Sequence, residues 1–108
     1  MTDNFQFRLE HTLEDIREWA DAKNLITGST PQAQFTKLIE EAGELASSIC
    51  KNKPIEELKD AIGDCCVVLT VIAAQYDLSL EECIQYSYSQ IANRKGKTVG
   101  GVFIKETE

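Results

Sequence analysis

The chain has 108 residues, 18 acidic against 11 basic, and a formal net charge of −7. This length makes one domain with a modest core. The charge argues against general nucleic-acid or anionic-membrane binding, since both need a basic surface.

The first helix is expected over about 7–23, with Leu9, Leu13, Ile16 and Ala20 at helical spacing and Trp19 beside them. Asn24 to Ser29, with Gly28, reads as a loop. Thr30 is a good N-cap and Pro31 a good first helical residue, so the second helix opens there and runs over about 31–51. Its apolar stripe is Phe35, Leu38, Ile39, Ala42, Leu45, Ala46 and Ile49. Lys51-Asn52-Lys53 follows, with the positive charge that a helix C-terminus favours. Pro54 opens a third helix over about 54–76. Ser79-Leu80-Glu81-Glu82 is a capping box, with Leu78 and Cys83 as its hydrophobic staple, and starts a fourth helix over about 80–93. The tail, 94–108, changes character: Arg94, Lys95, Lys97 and Lys105 alternate with Gly96, Gly100, Gly101 and Val102-Phe103-Ile104, which suits a short hairpin or an ordered arm.

Met1-Thr2-Asp3-Asn4 has neither the basic start nor the apolar core of a secretory signal. The longest near-apolar run, Cys65 to Ala74, is about half the ~20 residues of a bilayer span. The chain therefore reads as soluble and cytoplasmic, with no membrane partner. Cys65 to Ala74 is apolar around nearly its whole circumference, so another copy of the chain is expected to cover it. Cys50, Cys65, Cys66 and Cys83 show no Cys-x-x-Cys spacing, and His11 is the single histidine. They read as buried thiols packing as small hydrophobes.

Carboxylates carry the chemistry. Glu40, Glu41 and Glu44 share an arc on the second helix; Glu57, Asp60 and Asp64 share one on the third. Facing arcs of this kind would form an oxygen cage suited to Mg²⁺ or Mn²⁺. On a single helix such residues also suit a solvated face, and Glu56 and Glu57 suit a first turn. Asp64 is different. It sits mid-helix, where Asp has poor propensity, and its face continues into Val67, Val68 and Val71. No Lys or Arg lies three or four residues away, so a cation held with a facing acidic helix fits. Gly43 and Gly63 adjoin Glu44 and Asp64 and permit either close helix packing or ligand approach. The basic cluster at Arg94, Lys95 and Lys97 suits phosphate oxygens, or simply a helix C-terminus.

The string Glu40-Glu41-Ala42-Gly43-Glu44, a second acidic segment one helix later, and the ending Asn93-Arg94-Lys95-Gly96-Lys97 with Gly101-Val102-Phe103-Ile104-Lys105 resemble the MazG-like, all-α nucleoside triphosphate pyrophosphohydrolases, in particular small phage-type members. The similarity covers roughly Gln34 to Lys105. It implies an all-α, four-helix MazG-like bundle over 1–108, assembled as a homodimer or homotetramer. The implied reaction is hydrolysis of a (deoxy)nucleoside triphosphate between its α- and β-phosphates. Mg²⁺, with Mn²⁺ as the alternative, would be held by Glu41, Glu44, Asp60 and Asp64. Glu40 would be the general base or a water-positioning group, Arg94, Lys95 and Lys97 would bind phosphates, and Asn93 the base or ribose. The family's Glu-x-x-Asp segment departs here: Ala61 stands three residues before Asp64, so either Asp60 substitutes for the missing Glu or Glu57-Leu58-Lys59-Asp60 is the working segment. The alternatives are a phosphoribosyl-ATP pyrophosphohydrolase and a non-enzymatic helical interaction module. A di-iron bundle would need Glu-x-x-His pairs, which are absent from the sequence.

Overall fold

A computed structural model describes residues 2–106, with side chains from Arg8 onward; the end of the tail, Thr107 and Glu108, lies outside the described residues. Four helices follow in order, α1 (Thr2–Ala22), α2 (Pro31–Cys50), α3 (Ile55–Gln75) and α4 (Leu80–Ile91), then two strands, β1 (Gly96–Val99) and β2 (Val102–Lys105). The first helix therefore starts five residues before the expected Phe7. The fourth stops before Asn93, which lies in a turn.

The helix ends follow local chemistry. Thr30 Oγ1 accepts from the Ala33 N–H at 3.1 Å, with Pro31 in the first turn. At α4 the capping box closes both ways: Ser79 Oγ accepts from the Glu82 N–H at 3.1 Å, and the Ser79 N–H donates to Glu82 Oε1 at 2.7 Å. Asn24, Asn52 and Asp77 follow α1, α2 and α3 with positive φ of 59°, 50° and 59°. Just beyond each, the N–H of Leu25, Lys53 or Leu78 reaches back five residues, to the carbonyls of Ala20, Ser48 and Ala73. This is the Schellman arrangement, with Asn or Asp where Gly is usual.

All three other helices pack on α3, α2 most extensively. The connection between α2 and α3 is four residues long, so the two run antiparallel. Phe35, near the start of α2, accordingly shares a groove with Ile72 and Tyr76, near the end of α3. A two-pronged ion pair joins α1 to α4: Arg17 Nη1 and Nη2 donate to Glu81 Oε1 and Oε2 at 2.8 and 3.1 Å.

The core is small, consisting of Leu13, Ala20, Ala61, Val68, Val71, Ala73 and Leu80. The apolar stripe expected to bury α2 divides. Leu38 and Leu45 are half-buried, whereas Phe35, Ile39, Ala42, Ala46 and Ile49 are exposed; the buried residues of α2 are Glu41 and Ser48. The stripe is too wide for one neighbour, and α3 takes only one edge of it. Within Cys65–Ala74, Val68, Thr70, Val71 and Ala73 are buried while Cys66 and Leu69 face outward. This corrects the buried-thiol reading: Cys50 and Cys66 are exposed, Cys65 and Cys83 are half-buried, and all four are free. The thiols follow the outward edges of the stripes, which a single chain leaves uncovered.

The tail forms a two-stranded antiparallel ribbon pairing Gly96 with Lys105 and Val99 with Val102. Gly100 and Gly101, at φ of 60° and 82°, make the tight turn whose twist matches the strands. A side chain at position 96 would run into the Ile104 carbonyl and the Phe103 ring. No single helix among the described residues is long and apolar enough to cross a membrane.

Candidate functional site

Three carboxylates meet between α2 and α3. Glu41, Glu44 and Asp64 each offer an oxygen within 4.8 Å of the others. Oxygens on opposite sides of a bound Mg²⁺ lie about 4.2 Å apart, so small side-chain rotations would let the three share one divalent cation. Their burial is graded. Glu41 is 8% exposed, Asp64 is half-buried and Glu44 is open to solvent. Burial pushes the Glu41 carboxyl above its ordinary value of 4.5; a hydrogen bond with Glu44 and the charges of Glu44 and Asp64 push it further, and Lys37 pulls it back. The Lys37 ammonium stands 3.9 Å from Glu41 Oε1. A buried carboxylate beside two others calls for more positive charge than one lysine at that distance.

Two cavities meet at Asp64. The first, about 240 Å³, lies toward the α2–α3 connection and is lined by Glu44, Ser48, Lys53, Glu57, Asp60, Ala61 and Asp64. The second, about 340 Å³, lies toward α1, with Trp19, Leu25, Gln34, Val67 and Val71 around Lys37, Glu41 and Asp64. One is walled by carboxylates and a lysine, the other by an indole and aliphatic chains. Helical spacing explains the difference: 57, 60, 61 and 64 follow one another along one flank of α3, and 64, 67, 68 and 71 continue it into the valines.

The expected site residues are distributed unevenly. Glu41, Glu44 and Asp64 converge, and Asp60 and Glu57 both border the polar cavity beside Ala61, so geometry leaves both registers available. Glu40 is exposed and lines neither cavity, although it sits one turn before Glu44 on the same face. Asn93, Arg94, Lys95 and Lys97 are exposed. Lys97 lies in a hollow of the ribbon with Gly96, Ile104, Lys105 and Glu106 and lines neither cavity beside the carboxylate cluster. Sequence reasoning missed Lys53, read only as a helix-end charge, and the role of Trp19 in walling the second cavity. Burial raises the Cys65 thiol above 9.0, with Cys66, Glu41 and Asp64 adding to the shift; Cys65 is thus a packing neighbour of the site and a poor thiolate.

The profile of the MazG nucleotide pyrophosphohydrolase domain matches residues 29–99, which include both carboxylate-bearing helices and both cavities' polar walls. The chain belongs to the MazG family. A relative in Haemophilus phage HP1, described as an uncharacterized 18.2 kDa protein in the rep-hol intergenic region, is 51% identical over 67 residues. That match takes in 62% of this chain and 40% of the phage protein, so it spans less than half the relative's length. No solved structure gives a significant match. The matched family is that of the nucleotide pyrophosphohydrolase domain, and the acidic cluster lies within the matched region.

Proposed function

We propose that this MazG domain hydrolyses a nucleoside or deoxynucleoside triphosphate between the α- and β-phosphates, in a reaction that depends on Mg²⁺ or Mn²⁺. The observation that supports it most is the convergence of Glu41, Glu44 and Asp64 at the junction of a polar and an apolar cavity. These three, with Asp60 from the polar cavity, would hold the cation. When bound, it supplies charge that offsets the carboxylates and the triphosphate and polarises the phosphoryl oxygens. The apolar cavity suits the base and sugar, with the Trp19 indole as an aromatic wall and Gln34 at its polar edge. Glu40, facing solvent one turn from Glu44, is the proposed acceptor of the water's proton. α1 belongs to the same unit as residues 29–99, since it packs on α3 and is tied to α4 through Arg17.

Assembly belongs to the same proposal. Phe35, Ile39 and Ile49 on α2 and Ile55, Ile62, Leu69 and Tyr76 on α3 are each between 39% and 61% exposed. Covering seven half-exposed side chains offers on the order of 7 kcal/mol. A second copy presents the same stripes, so a symmetric dimer, or a tetramer built from it, buries them. Arg94, Lys95 and Lys97 would then meet phosphates on a neighbouring copy: the last fifteen residues carry +2 and the preceding 93 carry −9. Ile39→Asp and Leu69→Asp are expected to shift light-scattering mass to the monomer; an unchanged mass in both would refute this interface.

The activity is tested with purified protein, either metal and a nucleotide panel that includes phosphoribosyl-ATP, with products separated by chromatography. Monophosphate and pyrophosphate in equal amounts are expected. Diphosphate with orthophosphate would place cleavage at the other bond. Absence of turnover with both metals would favour a helical interaction module.

A further inference from the structure

We infer that Lys53 is a substrate-binding residue: its ammonium binds the β,γ-pyrophosphate that leaves, so the substrate lies with its polyphosphate toward the α2–α3 connection and its base toward α1. This rests on the pyrophosphohydrolase reading and adds a residue and a direction to it. Lys53 lines the polar cavity together with Glu44, Glu57, Asp60 and Asp64. Among the described residues it forms no ion pair, although four carboxylates share its cavity. Lys37, which borders the apolar cavity, lies within ion-pair distance of Glu41. A lysine that can reach several carboxylates and pairs with none leaves space between them, and an anion bridged to the carboxylates through divalent cations would occupy that space. A metal site alone gives a neighbouring ammonium no role, since like charges repel.

The backbone around Lys53 is set independently of its side chain. Asn52 turns the chain with φ of 50°, the Lys53 N–H donates to the Ser48 carbonyl at 3.0 Å, and Pro54 directly follows. A residue before proline is held extended, which fixes where the side chain departs. Among the residues lining the polar cavity Lys53 is the one cation, and the cavity at the other end, walled by Trp19, Leu25 and the valines, suits the nucleoside. In the reaction a water oxygen bonds to the α-phosphorus as the bond from that phosphorus to the α,β-bridging oxygen breaks. The bond's electron pair remains on the departing pyrophosphate, and the water's proton passes through a carboxylate to solvent. Lys53 faces the group on which negative charge grows, where a positive point charge favours departure.

The test is calorimetric titration of wild type, Lys53→Gln and Lys53→Arg with pyrophosphate, a nucleoside monophosphate and Mn²⁺ alone, the first two in the presence of Mn²⁺. Glutamine keeps the backbone N–H bond to Ser48, so a merely structural role would survive it. Lys53→Gln is expected to bind pyrophosphate about tenfold more weakly, the size of a lost charge-assisted contact. Monophosphate affinity should stay the same, Mn²⁺ alone should bind no more weakly, and Lys53→Arg should restore most of the pyrophosphate affinity. Equal pyrophosphate affinity in wild type and Lys53→Gln would overturn the inference while leaving the pyrophosphohydrolase reading intact. A parallel loss of monophosphate or of Mn²⁺ would also overturn it, by tracing the effect to the metal site. Wild-type protein that binds neither product would defeat the pyrophosphohydrolase reading, and the inference with it.

Discussion

Replacing Asp64 by Asn should stabilise the metal-free protein and destabilise the metal-loaded one relative to wild type. In the metal-free state Asp64 stands within 4.8 Å of oxygens of Glu41 and Glu44. Two unit charges at that distance repel by about 3.5 kcal/mol at an effective dielectric of 20 and about 0.9 kcal/mol in water. Asp64 is half-buried, Glu44 is exposed, and Lys37 stands 3.9 Å from Glu41, so removing one charge should gain about 1–2 kcal/mol. For a domain of this size that is about 5 °C or more in Tm. Asn has nearly the same shape and helix propensity, so packing should not mask the gain. Mn²⁺ at about a hundred times its Kd adds about 2.7 kcal/mol to a protein that binds it only when folded. Wild type should show that rise and Asp64→Asn little of it, so the order of the two Tm values reverses between EDTA and saturating Mn²⁺. Circular dichroism melts in both conditions measure it. A variant less stable than wild type in EDTA, yet with an undiminished Mn²⁺ shift, would refute the reasoning.

Three further outcomes are expected. Because the folded protein holds the Glu41 proton more tightly than the unfolded chain, stability from this group is present below its ordinary value of 4.5 and is lost as pH rises through the raised one. Metal-free melts across that range should show the fall, and Glu41→Gln should flatten it. Arg17→Ala should cost about 1–2 kcal/mol in urea melts at neutral pH through the two-pronged contact to Glu81, and Arg17→Lys should recover little, because a lysine cannot span both oxygens. Arg17 holds the Glu81 carboxyl below its ordinary value, so that contribution should fade as pH drops below 4.5. Trp19 is the single tryptophan and walls the apolar cavity, so a nucleoside monophosphate with Mn²⁺ should change its emission, whereas inorganic tripolyphosphate with Mn²⁺ should not.

The helices were legible because their punctuation is local. Thr30-Pro31 and Ser79 to Glu82 cap as their chemistry dictates, and Asp64 showed itself as a carboxylate on a face that continues into valines. What a single helix cannot reveal is which edge of a wide apolar stripe its neighbour takes. On α2 that choice put Glu41 and Ser48 inside and left Phe35, Ile39 and Ile49 outside, and it exposed Cys66 on α3. Lys53 escaped notice because a charge after a helix has a sufficient local explanation, while its facing partners lie on the next helix. The same limit applies to Arg94, Lys95 and Lys97: their residue types suit phosphate, but none of them lines either cavity beside the carboxylate cluster.

The most extensive helix contact in the molecule has a carboxylate and a hydroxyl at its buried positions on α2, where leucine would pack. Glu41→Leu together with Ser48→Ala would remove a desolvated acid and join the half-buried Leu38 and Leu45 into an oily seam. Selection for heat resistance alone would therefore favour these changes, and the first of them would remove one of the proposed metal ligands. Polar groups at that seam are what natural selection for turnover, rather than for durability, would leave in place.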